Sequence, residues 1–189
     1  SKVTHNLTAG RTAGNGSLMR TAYVGLYYSD EQEIRQKAYD ISRMTHYDED
    51  TAIDCAAYCA ALNEVSETEN FDERIAAIIG CTEREGRYPF DVLSSPFFTP
   101  NPTGYVVDSF ASALHCIYTT RSFEDAVAKA INLGGDADTI GAITGGLAGA
   151  LYGYDAIPKQ WIRTLFTETR NEIDELCDAA IKARTEAGA

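Results

Sequence analysis

The sequence predicts an all-α fold, and three observations carry that prediction. Apolar residues recur at helical spacing along almost the whole chain. Residues that cap helices stand just before several of those runs. No stretch alternates apolar and polar residues as a half-buried strand would. The length of 189 residues suits a single domain over 1–189, and a hydrophobic share of 44% is enough for a substantial core.

The elements follow in order. Ser29-Asp30-Glu31-Gln32 reads as a capping box, and Ile34, Ala38 and Ile41 then mark one helical face. A second helix covers Asp50 to Val65, with Ile53, Ala56, Ala57, Ala60 and Ala61 closely packed. Asn70 precedes Glu73 by three and opens a third, which carries Ile75, Ile78 and Ile79. Tyr105 to Thr119 is a fourth, with Val107, Phe110, Leu114 and Ile117 inward. Ser122 caps a fifth that ends near Leu133. The last long helix runs from Lys159 to Arg184, with Pro158 at its start and Trp161 as its packing anchor. The segment from Arg84 to Thr103 is irregular and holds every proline except Pro158. Its Tyr88, Phe90, Phe97 and Phe98 either line a ligand site or pin the loop to the core.

Between the fifth helix and the last lies the most informative stretch, Gly134-Gly135-Asp136-Ala137-Asp138-Thr139. Close-set carboxylates repel one another and need compensation. A hard cation such as Mg²⁺, Mn²⁺ or Ca²⁺ supplies it through oxygen ligands. The two glycines let the backbone turn tightly beside the acids. The alternative is that Asp138 or Thr139 only caps the next helix. After the acids comes an uncharged run from Ile140 to Tyr154, in which Gly141, Gly145, Gly149 and Gly153 recur every fourth residue. On a helix they form one smooth face. Each costs about 1 kcal/mol of helix propensity relative to alanine, which close approach of another backbone would offset. A bilayer span needs about 20 mainly apolar residues, so a buried central helix is the better reading.

Composition bounds the function. A net charge of −12 and a pI near 4.6 argue against nonspecific binding to nucleic acid or to an anionic membrane. Five cysteines, Cys55, Cys59, Cys81, Cys116 and Cys177, lack framework spacing and read as free thiols in a reducing compartment. Cys55 and Cys59, set among alanines, read as small core residues. No signal peptide, lipidation motif or spanning segment is visible, so a cytoplasmic location is expected. His5 and His115 have no metal-site spacing.

Gly14-Asn15-Gly16-Ser17 is either an ordinary helix cap or an anion nest, with a helix starting at Ser17 and aimed at a phosphate. Arg20 lies one turn further on. His46 near a helix end reads as a capping or surface residue. Tyr105 reads as an ordinary amphipathic core tyrosine.

The stretch GGDADTIGAITGGLAGALYG resembles the C-terminal metal motif of the ADP-ribosylglycohydrolase family, which includes the dinitrogen-reductase-activating glycohydrolases. Gly14-Asn15-Gly16-Ser17-Leu18-Met19-Arg20, then Thr45-His46, then Gly104-Tyr105-Val106-Val107-Asp108 agree with that family in the expected order. The resemblance runs from about Gly14 to about Gly153. It implies a compact multi-helix domain that lacks, in this chain, the family's N-terminal helices with their Thr-Asp-Asp-Thr motif. It implies Asp136, Asp138 and Thr139 as metal ligands, and Asn15, Gly16, Ser17, His46, Tyr105 and Gly135 on the substrate side.

The implied cofactor is Mg²⁺ or Mn²⁺, as two ions. The implied reaction is hydrolysis at the anomeric carbon of ADP-ribose attached to a protein side chain or small acceptor, through an oxocarbenium-like transition state. The catalytic base would lie in the absent N-terminal portion, so none is named here. An ADP-ribosylated protein or ADP-ribose derivative is the expected partner, together with a separate N-terminal fragment or chain. Two octahedral ions need about a dozen ligand positions, some of them water, and three side chains cannot order both. Candidates within the chain for the remainder are Asp108, Asp48, Glu49 and Asp50, Asp108 being alternatively a charge on a helix dipole. The alternative function is a noncatalytic ADP-ribose-binding or structural protein on the same scaffold, as in the lens crystallins of jellyfish. A generic dimetal hydrolase acting on another glycosidic or phosphate bond is a third reading.

Overall fold

The computed structural model describes residues 13–187. His5, and with it the stretch 1–12, lies outside the described residues. Among the described residues there are ten α-helices and no strand. They are α1 Ala22–Tyr27, α2 Glu31–Arg43, α3 Glu49–Ser66, α4 Phe71–Glu83, α5 Phe90–Leu93, α6 Val106–Tyr118, α7 Phe123–Asn132, α8 Ala137–Tyr152, α9 Lys159–Thr164 and α10 Thr167–Ala187. Short 3₁₀ turns at Leu18–Arg20 and Tyr154–Ala156 join them. A single antiparallel bridge between Gly14 and Tyr105 is the closest approach to sheet. None of these helices is long and apolar enough to cross a membrane.

Helix starts follow the capping chemistry, with small corrections. The α2 cap is Asp30 rather than Ser29: its carboxylate accepts from the Glu33 amide at 2.8 Å. α3 begins one residue early because Asp48 accepts from the Asp50 amide at 3.1 Å. Asn70 accepts from the amides of Asp72 and Glu73, and Ser122 from that of Asp125. Each cap is worth about 1 kcal/mol. Each is followed by acids in the first turn, where the helix dipole favours them. Part of the chain's negative charge thus stands at helix starts.

The central helix is α3, not the glycine-rich α8. From Thr51 to Val65 nearly every α3 residue is buried, and α1, α2, α4, α6 and α8 pack around it. Its alanines and cysteines admit neighbours on all sides. α8 is buried only along Thr139, Ile140, Ile143, Thr144, Leu147, Ala148 and Leu151, while Ala142 is exposed. The glycine face meets side chains rather than a backbone: Ile131 lies over Gly141 and Val127 over Gly145. A Cβ on Gly149 would meet nothing, and Gly153 ends the helix at φ +83°. The sterically required glycine of α8 is Gly146, where a Cβ would collide with the Tyr58 hydroxyl. The close backbone approach occurs elsewhere, where Gly25 of α1 lies on the Cys59 carbonyl of α3.

The expected last helix is broken in two. Leu165 is extended (φ −69°, ψ 144°) and separates α9 from α10. The Thr164 hydroxyl turns back to the Trp161 carbonyl at 2.6 Å, a side-chain bond that competes with helix continuation. Trp161 therefore anchors α9, against Phe123 of α7. α10 lies against α1 and leaves Ile173, Leu176 and Ile181 exposed.

Within the irregular segment, Tyr88 is buried against Phe110, Phe90 meets Tyr118 edge-on, and Phe98 lies on His115. Three of its four aromatics pin the loop, and Phe97 is exposed. Cys55 and Cys59 are fully buried core thiols, as expected, and burial pushes Cys59 up to about 12.

Candidate active site

Three stretches of chain converge on the N-terminus of α8. Gly134 and Gly135 both adopt left-handed backbone, at φ +74° and +59°. Gly135 lies so close to the Pro102 carbonyl that a Cβ would collide with it. The tight turn expected there is present, and it delivers the Asp136 amide to the same Pro102 carbonyl at 3.1 Å. Asp136 stands at the cap position of α8, yet its side chain does not cap. Its Oδ2 instead accepts from the Asn15 side-chain amide at 2.5 Å. Asp138 is exposed in the first turn. Thr139 is buried, and its hydroxyl faces the Met19 sulfur at 3.7 Å, a weak acceptor. Neither Asp138 nor Thr139 is the helix cap.

Asn15 ties the stretches together. It is buried, and its amide also donates to the Ser109 hydroxyl at 2.7 Å, so both amide hydrogens are used. Its backbone amide donates to the Gly104 carbonyl at 3.1 Å. Ser109 in turn donates to the Thr103 or Tyr105 carbonyl, at 2.7 and 3.0 Å. Ser109 escaped the sequence reading. The only signal for it was a small polar residue on the inward side of an apolar helix.

The Gly14–Ser17 segment differs from expectation. Ser17 opens a 3₁₀ turn of three residues rather than a helix. Its buried hydroxyl pairs with Ser42 at 2.9 Å and with the Cys55 sulfur at 3.5 Å. Neither Gly14 nor Gly16 has the left-handed backbone that builds an anion nest. Both instead make room for His46: a Cβ on either would lie 3.2–3.3 Å from its ring. The His46 ring nitrogen Nδ1 lies 2.9 Å from the Thr45 hydroxyl, which also accepts from Arg20. Burial, and then the charge of Arg20, hold His46 below the usual histidine range.

Tyr105 is half-exposed. Its backbone bridges Gly14, and its hydroxyl donates to Asp50 Oδ2 at 3.1 Å. Asp50 Oδ1 pairs with Arg87 at 2.7 Å. Arg87 also approaches Asp54 at 3.7 Å, and Tyr88 donates to the other Asp54 oxygen at 2.7 Å. Asp54 is fully buried, and burial pushes its carboxyl up to about 7 against the pull of Tyr88 and Arg87. Asp54 and Arg87 escaped the sequence reading.

The other acids weighed as ligands have protein roles. Asp108 accepts from Asn101 at 2.7 Å and Thr103 at 3.0 Å. Asp48 caps α3, and Glu49 takes Tyr39 at 2.7 Å and Arg43 at 3.2 Å. Among the described residues no three His, Cys, Asp or Glu side chains cluster as a complete metal site. Asp136, Asp138 and Thr139 together present hard oxygen donors, the type a divalent cation such as Mg²⁺ prefers. Among the described residues no lysine or arginine pairs with either acid.

The chain is 31% identical over 163 residues to an ADP-ribosylarginine hydrolase, Tri1, of Pseudomonas putida; the match covers 80% of this chain and 42% of that protein. It is 40% identical over 79 residues to the ADP-ribosyl-[dinitrogen reductase] glycohydrolase of Rhodospirillum rubrum, covering 42% of this chain and 27% of that one. A solved structure, described as an ADP-ribosylglycohydrolase-related protein complex, superposes with a TM-score of 0.77 at 31% identity, over 92% of this chain and 61% of that one. The chain thus spans less than two thirds of the length of each. The family model for ADP-ribosylglycohydrolase matches residues 2–189, beyond the Gly14–Gly153 stretch that carries the motifs. With the all-helical fold and the motif residues gathered at the start of α8, the chain belongs to the ADP-ribosylglycohydrolase family.

Proposed function

We propose that this chain supplies the α8 side of a metal-dependent site that hydrolyses the glycosidic bond of ADP-ribose attached to a protein side chain or small acceptor, releasing ADP-ribose. The observation that carries this reading is the pair Asp136 and Asp138. Two acids share one helical turn with the Thr139 hydroxyl and have no protein cation beside them among the described residues. Buried Asp54, by contrast, has Arg87.

Asp136, Asp138 and Thr139 would hold Mg²⁺ or Mn²⁺, and the remaining ligands of two ions would come from an N-terminal segment or chain. When bound, the ions would supply Lewis acidity toward the ribose hydroxyls. Asn15 fixes which Asp136 oxygen stays free, by occupying the other. His46, neutral at pH 7, would meet the ribose or diphosphate as a hydrogen-bonding group rather than as a charge. Tyr105 would stack on or bond to the ADP moiety. The linkage to test first is to arginine, since the Pseudomonas putida relative is an ADP-ribosylarginine hydrolase by name.

The test is release of ADP-ribose from ADP-ribosylarginine by the full-length protein, in Mg²⁺ or Mn²⁺ and after chelation. Asp136→Ala and Asp138→Ala should each cost more than about a hundredfold in turnover, since loss of a mere orienting partner costs 10–100-fold. Their helical circular dichroism should match the parent. Turnover retained in both variants would remove the reading. Tight ADP-ribose binding with no cleavage would favour the noncatalytic alternative.

A further inference from the structure

The backbone of Tyr105 is clamped from several sides. It bridges Gly14, its amide donates to the Thr103 hydroxyl at 3.2 Å, and its carbonyl accepts from the Ser109 amide at 3.0 Å. The ring is a separate matter, because a half-exposed tyrosine can turn about χ1 and χ2 unless its hydroxyl is tethered. The tether here is Asp50, on the first turn of α3, more than fifty residues away in sequence. Asp50 spends its other oxygen on Arg87 at 2.7 Å.

Were Arg87 only the counterion of buried Asp54, its guanidinium would lie closest to Asp54. The order is the reverse, 2.7 Å to Asp50 and 3.7 Å to Asp54. Asp54 Oδ1 and Arg87 Nη1 are both buried and left without a hydrogen-bond partner. Buried polar atoms are seldom left so. Arg87 is thus drawn toward Asp50, while Asp54 keeps its hydrogen bond from the Tyr88 hydroxyl.

We propose that Asp50 and Arg87 are positioning residues that fix the direction of the Tyr105 ring, and that they thereby set affinity for the ADP moiety of the substrate. This rests on the functional reading above. Neither residue touches substrate; both act through Tyr105. The relay Tyr88–Asp54–Arg87–Asp50–Tyr105 refers the ring to the central helix α3, the most buried element of the fold.

A double-mutant cycle tests this with ADP-ribose as the probe and the full-length protein in calorimetry. Asp50→Ala should weaken binding by about fivefold, as should Tyr105→Phe, which keeps the ring but loses the tether. The double variant should be no weaker than either single one. Arg87→Gln supplies a second cycle against Tyr105→Phe should Asp50→Ala fail to fold, with the same non-additivity expected. Additive losses, or an Asp50→Ala protein that binds like the parent, would overturn the proposal and leave the functional reading intact. A parent protein that binds no ADP-ribose would overturn that reading, and the proposal with it.

Discussion

Asp54 and Asp136 are both aspartates near the start of a helix, and the protein treats them oppositely. Asp54 lies fully buried with a donor, Tyr88, and a cation, Arg87, that it shares with Asp50. Its charge is opposed by burial and answered from within the chain. Asp136 lies half-buried with one neutral amide, and Asp138 beside it is exposed. Among the described residues no lysine or arginine pairs with either. The contrast separates an acid answered by a protein cation from acids that, among the described residues, have none. Burial and proximity of charge make that distinction, since residue type is the same.

Substitutions can sharpen or break the contrast, beginning with the largest. The Asp54 carboxyl is raised from an ordinary value near 3.8 to about 7 in the folded chain. Between those values the folded state keeps a proton that the unfolded state has lost, so stability falls as pH rises through that window. Asp54→Asn should abolish that slope, a difference on the order of 4 kcal/mol between pH 4 and pH 7. Urea titrations at each pH would read it, and parallel curves for parent and variant would end the contrast.

Gly135→Ala is next. A Cβ there meets the Pro102 carbonyl at a left-handed φ of +59°, so the turn must distort. A loss of about 3 kcal/mol is expected from overpacking and strain, measured as a fall in Tm. Asn15→Ala leaves Asp136 without its orienting donor and should weaken Mn²⁺ binding by about 10–100-fold in calorimetry. The effect should exceed that of Asp54→Asn on the same binding. The smallest change is Gly149→Ala, far along α8 from both acids. Nothing lies within 4 Å of the added methyl group, so helix propensity should stabilise the fold by about 0.5–1 kcal/mol.

Much of this was legible in the chain. Asn70, Ser122 and the apolar faces of α2, α4 and α6 announce themselves through local spacing and capping. The motif acids, Asn15 and His46 stand out because their segments are contiguous, and the fold brings Asn15 to Asp136 and Gly14 to Tyr105. What was hidden depends on contacts between distant segments. The break at Leu165 leaves no local proline or glycine signal. Gly146, outside the regular fourth-residue series, is fixed by Tyr58 far upstream. The relay from Asp54 to Tyr105 joins three separate stretches, and no local pattern pointed to it.

Four of the five thiols are buried and Cys177, on α10, is exposed. That asymmetry makes the wild-type chain a ready-made substrate for single-site labelling. A bulky maleimide dye should modify one sulfur per folded molecule and all five after denaturation. The attached fluorophore would then report on the surroundings of the C-terminal helix without any engineered cysteine.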